Sequence, residues 1–190
     1  MSLTEAEQAV AEYLAAEPGP VTWTGPPGPS GWAATIRSGG GEGADPATVR
    51  FGKSRAFPGC QLHQVEFTNH DGHPQRLLVR TWQQADGTWV ADPIGGGGGA
   101  DPYRARPWAN FAAAWSADLF AAGGTVTGNG AEAAHLVRLT FANGTSIEDQ
   151  VHNGVVLFYT SPGVAFPASV EISTSTGDVL AAYDEFNDLQ

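Results

Sequence analysis

Cysteine is almost missing from this chain: Cys60 stands alone among 190 residues. One thiol excludes an internal disulfide and a cysteine-built zinc knuckle, and it fits a reducing compartment. Basic residues are scarce too, with nine Lys and Arg against twenty Asp and Glu and a formal net charge of −11. A nucleic-acid backbone or an anionic membrane demands clustered cations, so neither is expected as a partner. No apolar run approaches the ~20 residues that a membrane helix needs. Met1-Ser-Leu-Thr-Glu-Ala-Glu7 lacks the basic start and apolar core of a signal peptide, so a cytoplasmic placement is expected, with export of a trimmed chain left open.

What is present is a ladder of short strand patterns. From Ala134 to Tyr183 they read as 135–141, 146–152, 155–160, 169–173 and 178–183. The breaks carry turn chemistry: Asn143-Gly144, Asn153-Gly154, Ser161-Pro162-Gly163 and Thr176-Gly177. Asn-Gly tolerates positive φ at both centres of a type I′ turn, the geometry that suits twisted hairpin strands. An earlier meander has the same grammar: 48–51, 61–68, 76–82 and 88–91, with turns at 69–72 and at Asp86-Gly87. His63-x-Val65-x-Phe67-Thr68 matches His135-x-Val137-x-Leu139-Thr140 at an offset of 72 residues, as two β units built alike would. Equivalent strand positions for His63 and His135 favour a structural role for both.

One helix is expected, and a second is a candidate whose residues a Trp-rich connector crossing a sandwich would share. Thr4 and Glu7 form a capping box with Leu3 as its staple residue, and Leu3, Ala6, Val10, Tyr13 and Leu14 make one apolar stripe before Pro18-Gly19-Pro20. Such a terminal helix closes an edge or face of its own sheet. Pro107 to Phe120 reads as a middle helix, with Trp108, Phe111, Ala112, Trp115 and Leu119 on one face and Gly123-Gly124 as its stop. Trp23 and Trp32 sit among turn residues and pin irregular chain onto the core. Gly39 to Gly43 reads as a flexible connector, and Gly95 to Gly99 as a mobile linker with no phosphate-loop context. The division is therefore an N-terminal helix at 1–20, a first β unit at 21–94, a Gly/Pro linker at 95–106 and a second β unit at 107–190, compatible with one continuous domain.

The densest polar cluster is Cys60, His63, Glu66, His70, Asp71 and His73. His63, His70, Asp71 and His73 are the metal candidates, because imidazole and carboxylate donors gathered at a turn suit Zn²⁺ or a similar ion. An exposed polar hairpin explains the same residues. No Gly-x-Ser-x-Gly elbow accompanies the available Ser, His and Asp, and Cys60 lacks an activating neighbour in sequence. Glu148 and Asp149 are adjacent on a strand and point to opposite faces, so they cannot pair as catalytic carboxylates. Arg50, Lys53 and Arg55 lie close together but are too few for a phosphate groove. No catalytic residue or cofactor is implied.

The runs Val137-Arg-Leu-Thr-Phe-Ala-Asn-Gly144, Glu148-Asp-x-Val-x-Asn-Gly-Val-Val-Leu-Phe158 and Pro167-Ala-x-Val-Glu-Ile172, with Thr176-Gly-Asp-Val-Leu180, resemble a β-rich domain family of uncharacterised actinobacterial proteins. The likeness spans mostly residues 88–185. It rests on turn and core positions, so it implies a fold and a lineage and carries no activity. The closing hairpin is also similar to the last strands of immunoglobulin-like sandwiches, without their Cys…Trp…Cys framework.

The fold class expected is mainly β, an antiparallel sandwich-like assembly carrying the N-terminal helix and the short middle one. The function expected is a non-enzymatic binding or interaction module for a protein or small ligand, using an exposed strand edge or an aromatic patch. The alternatives are a small metal-dependent or hydrolytic enzyme centred on the His63–His73 hairpin, and a self-assembling structural protein.

Overall fold

Thr4 closes the start of helix α1 (Glu5–Ala15) as the capping box requires. Its hydroxyl accepts from the Glu7 N–H at 3.2 Å, and the Glu7 carboxylate accepts from the Thr4 N–H at 2.9 Å. Ala6, Val10 and Leu14, four residues apart, are the buried face, while Leu3 is 49% exposed and lies outside it. The computed structural model describes residues 2–18, 21–23, 35–37, 41–96, 104–115, 119–161 and 167–184. Trp32, Gly97–Gly99 and the Pro162-Gly163 turn lie outside the described residues, as do Glu185 and the residues after it.

The described strands build four antiparallel sheets. A small ribbon pairs β1 (Val21–Trp23) with β2 (Thr35–Arg37). Next comes a four-stranded meander, β3 (Arg50–Phe57), β4 (Cys60–Thr68), β5 (Pro74–Gln83) and β6 (Trp89–Gly96), in sequence order. Then β7 (Trp108–Trp115), β8 (Phe120–Thr127) and β11 (Val155–Thr160) form a three-stranded sheet in the order β11-β8-β7. The last sheet orders β9 (Leu136–Phe141), β10 (Ser146–Gln150), β12 (Pro167–Ser173) and β13 (Val179–Tyr183) as β10-β9-β12-β13. The molecule is mainly β, as its turn grammar indicates.

These sheets stack with the helix outermost. The face of the meander that carries Val65, Phe67, Leu77 and Val79 packs on Val10 and Leu14 of α1. Its other face carries Leu62 and Leu78, which meet Ala112, Ala121, Val155 and Leu157 of the three-stranded sheet. That middle sheet turns Phe111, Phe120, Ala122, Val156 and Phe158 the other way, onto Val137, Leu139, Phe141, Val170 and Ile172 of the last sheet. The middle sheet is thus covered on both faces, and the two β units share a core. The Asn153-Gly154 turn has positive φ at both residues, 51° and 75°. It passes the chain from β10 in one sheet to β11 in another.

The structure corrects four expectations. No helix forms at 107–120: Trp108–Trp115 is β7, and Phe120 opens β8, in whose middle Gly123 and Gly124 lie. A strand buried on both faces has no polar alternation, and Phe-Ala-Ala-Ala then imitates a helix. Gly41 to Gly43, the described part of the expected connector, is fastened to α1. The N–H groups of Gly41, Gly43 and Ala44 reach the carbonyls of Glu17, Ala16 and Leu14 at 2.8–2.9 Å, satisfying the open end of the helix. A Cβ at Gly41 would stand 2.0 Å from the Tyr13 carbonyl oxygen, so only glycine allows this approach. Gly95 and Gly96, expected in the linker, close β6. The strand anticipated at 48–51 is longer and shifted, since Pro46–Thr48 is a 3₁₀ turn and β3 runs on to Phe57.

The central sheet's small residues are set by the space between its neighbours. A Cβ at Gly124 would lie 2.6 Å from the Phe111 ring and 3.3 Å from Val156, so something must move. Gly124→Ala is expected to cost roughly 1–3 kcal/mol of stability through overpacking. Thermal unfolding checks this, and an unchanged Tm would show that Phe111 swings aside freely.

Candidate functional site

The metal candidates do not come together. His63 is fully buried in β4 under α1, where its Nδ1 is 2.9 Å from the Ser54 hydroxyl and its Nε2 2.9 Å from the Thr81 hydroxyl. Burial is the main reason its pKa falls from 6.5 to about 4, and the nearby Glu7 carboxylate pulls it the other way without prevailing. His70, Asp71 and His73 are exposed at the turn between β4 and β5, His70 Nε2 lying 3.4 Å from Asp71 Oδ1. Among the described residues, no three His, Cys, Asp or Glu side chains form a set that could hold a metal ion. His63 and His135 are not equivalent either, for His135 is exposed just before β9 while Val65/Val137 and Phe67/Leu139 share burial.

Cys60 is buried at the β3–β4 hairpin beside Tyr159, and burial raises its thiol pKa. A thiol held protonated in this way is a poor nucleophile. Glu148 and Asp149 do point to opposite faces. Glu148 pairs outward with Arg138, and Asp149 turns inward to Lys53 and Arg55.

A different site emerges where the last sheet meets the middle one. Arg104, Ala105, Arg106, Pro107 and Trp108 face Ala181, Ala182 and Tyr183 of β13 across a cleft of about 520 Å³. The Trp108 indole stacks on the Tyr183 ring with centroids 4.1 Å apart and planes 20° from parallel. The Arg104 guanidinium lies 3.9 Å from the centre of the Trp108 ring. Cation–π attraction and stacking hold that guanidinium in place, so little freedom is lost when it meets an anion. The Tyr183 hydroxyl accepts from the Ala109 N–H at 3.0 Å and reaches back to the Ala109 carbonyl at 3.5 Å. Burial pushes its pKa up to about 12, so it stays a neutral hydrogen-bonding group at physiological pH.

Most described cations outside this cleft are paired with carboxylates, while Arg50 instead bonds the carbonyls of Ala47 and Val49. Lys53 and Arg55 pair with Asp149, Arg76 with Glu66, Arg80 with Asp92, and Arg138 with Glu148 and Glu171. Among the described residues, neither Arg104 nor Arg106 has a carboxylate partner. Composition puts both in the linker and Trp108 on a helix face. The usable signal is the closeness of Arg104 and Arg106 to Pro107-Trp108, although the chain bends at 105 and 106 and only enters β7 at Trp108.

Comparison with protein-family models, with curated proteins and with solved structures produces no match.

Proposed function

We propose that this protein is a non-enzymatic binding module that holds an anionic ligand in the cleft between Arg104, Arg106, Trp108 and Tyr183. The observation that carries the reading is the pair of arginines without carboxylate partners among the described residues, beside a stacked aromatic platform, in a chain of net charge −11. Guanidinium groups recognise carboxylates through two parallel N–H donors, and an arginine held over an indole has less freedom to lose in presenting that fork. A general electrostatic attraction of anions is not available to so acidic a molecule, so any binding must be local.

The probe is a capped hexapeptide alternating Glu and Val, titrated calorimetrically into the full chain at low and physiological salt. Binding is expected, and Arg104→Gln with Arg106→Gln together should weaken it about tenfold, the equivalent of 1.4 kcal/mol. Higher salt should weaken it too. The matching Lys/Val peptide should bind no better to the wild type than to the double variant. No heat with the acidic peptide, or equal affinity for the double variant, rejects the reading.

A further inference from the structure

Resting on that reading, we infer that the ligand is an extended acidic segment of a partner protein, which adds as a strand to the free edge of β13 with its carboxylates toward Arg104 and Arg106. Sheet edges offer unpaired N–H and C=O groups to any passing strand, and folded proteins block them with charge, proline, bulges or covering groups. This molecule blocks its other large-sheet edges. At one side of the meander, β3 carries Arg50, Lys53 and Arg55 and a bulge between Phe51 and Lys53. At the other, β6 carries Asp92 and Pro93 next to its own register shift.

The middle sheet is closed by side chains. The N–H and C=O of Ala109 on β7 are taken by the Tyr183 hydroxyl. On β11, the Leu157 N–H donates to Asp149, the Leu157 carbonyl accepts from Arg55, and the Val155 carbonyl accepts from Lys53. In the last sheet, β10 is five residues long and holds Glu148 and Asp149.

The β13 edge is short and has a register shift opposite Ile172 and Ser173, with Asp178 and Asp184 just beyond its ends, but inside its span it carries neither of the side-chain guards. Val179-Leu-Ala-Ala-Tyr183 has no charge and no proline, Val179 is 56% exposed, and among the described residues β13 pairs with β12 alone. The same strand forms one wall of the arginine cleft. A partner strand laid along it would gain main-chain bonds from the edge and charge-assisted bonds from the opposite wall, the recognition mode in which backbone supplies affinity and side chains supply choice.

N-methylation separates this proposal from the broader one. In an extended strand, alternate N–H groups point to the same side, so the Glu/Val hexapeptide is made in two further forms, methylated on the nitrogens of either the Glu or the Val residues. One form is expected to bind at least tenfold more weakly than the parent and the other to match it within about twofold, with slowed amide exchange at β13. If both methylated forms bind like the parent, or both lose affinity equally, edge pairing is wrong while the cleft reading stands. If the parent peptide itself fails, both fall. Sedimentation showing β13 already paired in a homodimer that the peptide does not displace would also overturn the proposal.

Discussion

Asp149→Ala is expected to lower the free energy of unfolding by roughly 3–5 kcal/mol, read from urea denaturation, because it strips a buried ion cluster of its only anion. The Asp149 residue is 7% exposed, and its carboxylate accepts from Lys53, from Arg55 and from the Leu157 N–H at 2.6 Å. These donors come from β3 in the meander and β11 in the middle sheet, while Asp149 itself belongs to β10 in the last sheet. One carboxylate therefore ties three sheets. Removing it leaves the Lys53 ammonium, whose side chain is 11% exposed, without a counter-charge, although the Gln150 carbonyl at 2.6 Å still accepts from it. An unpaired buried charge costs more than an absent pair, so Lys53→Met with Asp149→Ala should lose less than the two single changes added together. Additive losses would show that the two side chains act independently.

The second large effect is a loss of stability in acid that follows from His63. Its pKa is about 4 in the folded protein, against 6.5 for an unperturbed side chain. Above pH 6.5 the imidazole is neutral in both states and pH has no leverage. As pH falls below 6.5 the unfolded chain takes up a proton that the folded chain refuses, so stability declines down to about pH 4. The gap corresponds to roughly 3 kcal/mol. His63→Gln keeps a group able to bond the Ser54 and Thr81 hydroxyls but cannot titrate. The difference in unfolding free energy between wild type and variant should therefore shift by that amount between pH 7 and pH 4. Parallel profiles would mean that His63 accepts a proton without leaving its site.

Much of this architecture was written locally. Thr4 and Glu7 announce the helix cap because both partners lie within one turn, and Asn-Gly or Asp-Gly pairs mark reversals because the conformation they permit is a property of two residues. The middle sheet was illegible for a physical reason. Alternation in a strand records a difference between its two sides, and β8, covered on both faces, has none to record. Long-range chemistry was hidden as well. Lys53 and Arg55 meet Asp149 across 96 and 94 residues, and Trp108 meets Tyr183 across 75 positions of sequence. Adjacent spacing did settle one point about Asp149: its separation from Glu148 to opposite faces was fixed by strand geometry alone.

A layer with no wet side also shapes how the molecule can breathe. Amides in β8 reach solvent neither through the loosening of α1 nor through the fraying of a hairpin tip, since a covering layer must come away before water arrives. Amides of that inner ribbon are expected to exchange more slowly than those at the described hairpin tips. A ligand entering the proposed cleft would therefore meet only the rim, at β13 and Arg104, and leave the interior shut.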